Sequence, residues 1–226
     1  MEVTRLILIS VLISILASCS NAPELETGEI KILEIFNRAL KQSNQSKQFI
    51  DARFLLNREQ IDEAKVPVLF IELPSGQNGT LTPYPGQGIG QTWLSADGAT
   101  ITLNRGIVKA SRGMGDDIMG SSSNMPNWSK IDHNITTYTR EVSYLEGNNK
   151  IYKRMYKCNV QKINNKELIK IWEVKFLVTK FAELCDYNGL EIQNFYYLDN
   201  REIVRKSSQY HSDTLGYLST QRLDRL

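Results

Sequence analysis

Histidine and cysteine are scarce in this chain. His133 and His211 are the two histidines in 226 residues, and Cys19, Cys158 and Cys185 are the three cysteines. A histidine-rich metal centre is thereby nearly excluded and a disulfide-dense scaffold is excluded outright. Charge of one sign is lacking too: 27 basic side chains face 25 acidic ones, for a formal net charge of +2. That removes the strong basic excess by which nucleic-acid binders declare themselves, and no nucleic-acid partner is expected. No apolar run reaches the roughly 20 residues of a membrane-spanning helix. Neither G-x-S-x-G nor H-E-x-x-H occurs. Gly86, Gly88 and Gly90 form G-x-G-x-G without the Lys-Ser or Lys-Thr that would complete a phosphate loop. What is present is an ordinary globular balance, 41% hydrophobic and 23% charged, enough for a single domain whose core needs no metal or cofactor.

The longest apolar run lies near the N-terminus, at residues 6–17 (LILISVLISILA). It has the length of a signal-peptide hydrophobic region, about 7 to 15 residues. Arg5 precedes it, and Leu16, Ala17, Ser18 and Cys19 follow. These four resemble the bacterial lipobox, in which small side chains admit the peptidase to the backbone and the cysteine sulfur carries a diacylglycerol thioether. Residues 1–18 read as a lipoprotein signal peptide, Cys19 as the lipidation site, and the polar residues 19–28 as a lipidated tether. Ser20 stands where lipoproteins retained in the inner membrane usually carry aspartate, which points to the outer membrane and a periplasm-facing protein. Lipidation of Cys19 leaves Cys158 and Cys185 in an oxidising compartment. A disulfide between them is the simplest outcome, and two separate buried thiols are the alternative.

Residues 29–226 read as one β-rich domain. Ile32, Leu33, Phe36 and Leu40 recur at helical spacing, which predicts a helix over residues 29–43. From about residue 49 the period changes to two. Strands are predicted over residues 52–56, 66–72, 93–94, 99–103, 107–110, 136–145, 151–163, 167–184, 190–198, 203–211 and 216–222. Turn chemistry at Asp97-Gly98, Arg105-Gly106, Asn148-Asn149, Asn164-Asn165, Asn188-Gly189 and Asp199-Asn200 separates them. Residues 73–90 and 112–127, rich in glycine with proline or serine, read as loops. The expected fold is mainly β: a strongly curved antiparallel meander or half-open barrel or sandwich, with the N-terminal helix packed on it. Its later strands are long enough to require bends or bulges.

Local chemistry is sparse. Asp116 and Asp117 are adjacent carboxylates, whereas a glycosidase needs two opposed acids at a defined separation. Between residues 150 and 175, eight basic side chains face only Glu167 and Glu173. Alternation there places Tyr152, Arg154, Tyr156 and Cys158 on one face, which could meet an anionic polysaccharide or lipid headgroups. A solvated sheet face whose lysines discourage edge pairing is the simpler account of the pattern.

Residues 92–117 (TWLSADGATITLNRGIVKASRGMGDD) and 203–210 (IVRKSSQY) resemble the YjbF family of outer-membrane lipoproteins associated with group 4 capsule and exopolysaccharide operons. Trp93, the Asp97-Gly98 turn, Gly106 with Ile107 and Val108, Arg112-Gly113-Met114 before the acidic pair, and the basic-serine-glutamine-aromatic strand carry the likeness. The resemblance implies an accessory lipoprotein in polysaccharide production or export with no established enzymatic activity, acting by binding glycan or export machinery. Trp93, Arg112, Asp116, Asp117, Tyr152, Arg154, Tyr156, Arg205, Gln209 and Tyr210 are the candidate binding residues. No catalytic or metal-binding residue is expected. Two other readings are a hydrophobic-ligand carrier, which would need a dry cavity above about 300 Å³, and a polysaccharide-modifying enzyme, which would need converging carboxylates in a cleft.

Overall fold

A computed structural model describes residues 34–35, 51–84, 91–145 and 150–225. A 3-10 turn, Ala52–Phe54, leads into helix α1, Arg58–Ala64. Asn57 and Gln60 form a reciprocal capping box at the start of α1, and Lys65, with φ 54°, ends it. Twelve strands follow: β1 Leu69–Glu72, β2 Asn78–Pro83, β3 Gln91–Ser95, β4 Thr100–Asn104, β5 Ile107–Arg112, β6 Ile118–Ser123, β7 Thr136–Leu145, β8 Ile151–Ile171, β9 Val174–Tyr187, β10 Leu190–Leu198, β11 Val204–Ser212 and β12 Gly216–Arg222.

These strands make one antiparallel sheet in the order β5-β4-β3-β2-β1-β12-β11-β10-β9-β8-β7-β6. The two outer members, β5 and β6, come to lie side by side, so the sheet is a nearly closed barrel. No ladder joins them. Side chains stitch the seam instead. Arg112 Nη1 donates to the carbonyl of Ile118 at 2.9 Å. Arg105 Nη1 reaches the carbonyl of Pro126 and Asn127 Oδ1 at 2.9 and 2.7 Å.

Two hydrophobic clusters follow from the alternation. The larger fills the barrel with inward residues such as Leu81, Trp93, Ile101, Tyr144, Tyr196 and Leu218. The smaller lies outside it, where Ala52, Leu56, Ile61 and Phe70 pack together with Ile171 from the far end of β8.

Several sequence expectations are corrected. Residues 52–56 are not a strand: Asp51 accepts the Arg53 N–H and Asn78 Oδ1 accepts the Ala52 N–H, which winds the segment into a 3-10 turn. β2 lies within residues 73–90, its Pro83 tolerated because it ends the strand. β6 lies within residues 112–127, its small side chains hiding the alternation. Asn164-Asn165-Lys166 is no hairpin turn. β8 runs on for 21 residues, absorbing these residues as register shifts on either side of Asn164. The chain reverses at Trp172, which takes φ 51°. Of the predicted helix over residues 29–43, Glu34 and Ile35 are helical and Ile35 packs against the outer cluster. The rest of that helix, the Gly147-Asn148-Asn149 turn, the leader, Cys19 and the tether lie outside the described residues.

Candidate binding site

Alternation along β7 to β11 sends a set of polar side chains into the barrel, where each must find a partner. Glu183, fully buried, accepts from Arg140 Nη2 at 2.5 Å, Asn194 Nδ2 at 2.6 Å and Tyr196 Oη at 3.1 Å. Burial pushes the Glu183 carboxyl up to about 7, against the hydrogen bonds from Asn194 and Tyr196. The Arg140 guanidinium at 2.5 Å sets an opposite charge against this buried carboxyl. Asn194 Oδ1 in turn accepts the Tyr210 N–H at 2.7 Å. This matters because the β10–β11 ladder stops at Phe195 and Ser208.

Beside Glu183, Cys158 and Cys185 are directly opposed on β8 and β9 and are bonded to each other. The two sulfurs and the Glu183 carboxylate lie within 4.8 Å of one another. As a disulfide the sulfurs are not thiolate ligands, so the cluster does not read as a metal site.

One end of the barrel is walled by tyrosines. Tyr144 and Tyr152 stack with centroids 5.1 Å apart, and the Arg154 guanidinium lies 5.3 to 5.5 Å from the rings of Tyr144, Tyr152 and Tyr187. Arg154 also grips Asp213 with two bonds, 2.9 and 2.6 Å. Together with the Tyr210 hydroxyl, which bonds the same carboxylate, it pulls the Asp213 carboxyl down to about 2. Asp117 closes the neighbouring loop: its carboxylate accepts the Gly113 and Met114 N–H groups and the Ser111 hydroxyl.

The opposite end holds a cavity of about 230 Å³, lined among others by Gln91, Trp93, Arg105, Glu202, Thr220 and Arg222. Arg222 lies 4.9 Å over the Trp93 ring, and its Nε is held by Asp224. The Trp93 indole N–H, buried, has no hydrogen-bond partner. A buried donor left unpaired costs about 1–3 kcal/mol. Two guanidinium side chains, with the Glu202 carboxylate beside them, suit a hydroxyl-bearing or anionic ligand.

The structure thus divides the residues singled out by sequence. Tyr152, Arg154, Tyr156 and Tyr210 come together at the tyrosine end, with Asp116 and Asp117 on an adjacent loop. The predicted alternation in β8 holds, but its aromatic face turns into the barrel, where Tyr156 is buried, and is not an exposed basic platform. Arg112 serves the seam. Gln209 lies in the interior between the ends. Arg205 is buried at the foot of β11, bonded to Asp199 and to the Asp224 carbonyl and lying 4.6 Å over Phe176. Of these sequence-predicted residues, Trp93 lines the cavity. Arg222, Arg105, Gln91 and Glu202 escaped the sequence reading. Alternation in β12 places Arg222 on the same face as Leu218 and Thr220, and that was the available signal.

A nearly closed antiparallel barrel whose interior is filled by side chains, with a small cavity at one end, is the class of protein defined here. Residues 36–223 match the family model described as "Group 4 capsule polysaccharide lipoprotein gfcB, YjbF". The chain belongs to this YjbF family. Its fold is similar to the crystal structure of the hypothetical lipoprotein YmcC from Escherichia coli (K12). The TM-score is 0.70 at 16% sequence identity, covering 90% of this chain and 98% of that one. A comparison with curated protein sequences finds no match.

Proposed function

We propose that this chain is a lipid-anchored, periplasm-facing accessory factor of the outer membrane in capsule or exopolysaccharide production or export, and that it acts by binding glycan at the end cavity. The family supports the polysaccharide context. The observation that carries the binding role is the cavity of about 230 Å³ that combines Trp93, Arg105 and Arg222. It falls below the roughly 300 Å³ at which pockets for larger organic ligands begin, a size suited to one sugar ring rather than an acyl chain. Its guanidinium groups favour sugars bearing carboxylates.

A lipid carrier finds less support. The barrel interior is filled by side chains around a cavity of about 20 Å³. An enzyme finds less still: Glu183, the acid raised most clearly among the described residues, is sealed from solvent. The disulfide agrees with an oxidising compartment.

Short oligogalacturonates and uncharged maltooligosaccharides, titrated separately and followed by tryptophan fluorescence, test the binding role. Saturable binding of the acidic series, lost in Arg222→Gln and weakened in Trp93→Phe, is expected; silence from both series overturns it. The anchor is tested by Cys19→Ala, which abolishes acylation and membrane fractionation. A mutant that fractionates like the unaltered chain overturns that part.

A further inference from the structure

The basic hairpin formed by the far halves of β8 and β9 leaves the barrel wall and has two unlike faces. Ile169 pairs with Phe176 and Ile171 with Val174 on the face that packs against the outer cluster. On the other face Leu168 lies directly opposite Leu177 and Lys170 directly opposite Lys175. Leu168 and Leu177 are 62% and 56% exposed, and Lys166, Lys170 and Lys175 around them are exposed too. Glu173 lies at the turn, and Glu167, between Lys166 and Leu168, alternates to the opposite face, paired with Val178. A cross-strand leucine pair held in solvent and ringed by ammonium groups adds little to folding. It has the composition of a membrane-interface contact, in which apolar side chains enter the headgroup boundary while lysines meet anionic headgroups. A polysaccharide would satisfy the lysines but leave the leucines exposed.

The course of the chain points the same way. Trp172 at the hairpin turn packs edge-on against Phe70 at 6.0 Å, and Arg53 lies 5.7 Å over the same Phe70 ring. Phe54, on the same 3-10 turn as Arg53, is 88% exposed. Ile35 joins the same outer cluster. The hairpin therefore sits where the chain comes in from its N-terminal side. Ile35 lies sixteen positions after Cys19, a reach of at most about 55 Å even when fully extended.

We infer that the β8–β9 hairpin docks on the bilayer that holds the lipid anchor, through Leu168 and Leu177, with Lys166, Lys170 and Lys175 on anionic phospholipid headgroups. The hairpin thereby fixes the orientation of the barrel above the membrane. This inference rests on the reading of Cys19 as an anchor for its biological setting, and the experiment separates the two. The processed chain carries an N-terminal hexahistidine tag in place of Cys19 and is held on vesicles containing nickel-chelating lipid, so it sits at a bilayer whether or not Cys19 is acylated in the cell. Leu168→Cys supplies one reactive thiol, because Cys158 and Cys185 are bonded to each other, and takes an environment-sensitive fluorophore. Met155→Cys, on the barrel wall, is the control.

On phosphatidylcholine vesicles containing phosphatidylglycerol, the label at position 168 becomes shielded from an aqueous quencher and is quenched by brominated lipid, while the label at 155 is unchanged. Changing Lys166, Lys170 and Lys175 to Glu reverses this, with the docked population falling about five-fold or more for each lysine removed. A label at 168 that stays as open to the aqueous quencher on these vesicles as in solution overturns the inference. So does protection that appears only when a second protein is added. Neither result bears on whether Cys19 is acylated.

Discussion

Gln209 on β11 reaches across the barrel to the β4–β5 hairpin: its Oε1 accepts the Val108 N–H at 3.0 Å while its Nε2 donates to the Gly106 carbonyl at 2.8 Å. The register of β4 against β5 shifts at this place, pairing Thr102 with Ala110 but Leu103 with Val108. One side chain thus does for a bulged edge strand what a neighbouring strand would otherwise do.

Gln209→Leu removes both bonds and leaves the Val108 N–H unpaired in the core. A loss of about 1–3 kcal/mol follows, read as a lower urea midpoint at unchanged slope, with the β4–β5 amides exchanging hydrogen faster than those of β8 and β9.

Gly106, in the same turn, has φ 79°, and a Cβ there would overlap the Val204 side chain. Gly106→Ala therefore combines a left-handed backbone with a steric conflict and destabilises by about 2–4 kcal/mol. Adding Val204→Ala to Gly106→Ala restores only the steric part. A thermal melt of the two variants separates the contributions.

The Cys158–Cys185 bond closes a separation of 27 residues, for which chain entropy alone gives about 3–4 kcal/mol. Replacing both cysteines with serine lowers stability by that order and adds polar groups beside Glu183. In the unaltered chain, thiol reagents label neither cysteine until denaturant and reductant act together, because both are fully buried.

His211 is buried, its Nε2 paired with Ser111 Oγ at 3.0 Å and its Nδ1 without a partner. Burial lowers its pKa to about 4, with Asp117 and Asp116 acting in the opposite direction. The unfolded chain takes up this proton first. The stability is therefore fully present above about pH 6.5 and is lost as pH falls towards 4, by roughly 3 kcal/mol at most. His211→Gln flattens the profile of stability against pH in that window, measured by urea unfolding at stepped pH. A profile unchanged by the substitution refutes the assignment.

Much of the fold was legible in sequence because alternation and turn chemistry are local. The strands Thr136–Leu145, Leu190–Leu198 and Gly216–Arg222 agree with expectation to the residue. The Asn188-Gly189 turn shows the positive φ its residue types invite, 53° and 84°. Two of the failures share a cause: β2 and β6 carry glycine, proline and serine, whose local preferences say loop, and only pairing with β1, β3 and β7 makes them strands. Asn164-Asn165-Lys166 looked like a turn because its residue types are the same ones a bulge uses.

The site was less legible. Sequence alone determined the composition, the period of the strands, the cysteines available to pair, and the family. It also separated Tyr152, Arg154 and Tyr156 from Lys153 and Met155 by alternation. Tertiary structure decided which of those faces is inside, because facing is set by how the sheet curls and where β5 meets β6. It also placed Arg222 over Trp93, and it carried the far end of β8 to Phe70, a residue more than a hundred positions earlier in the chain. Such contacts follow from closing the sheet, a long-range event that no local pattern records.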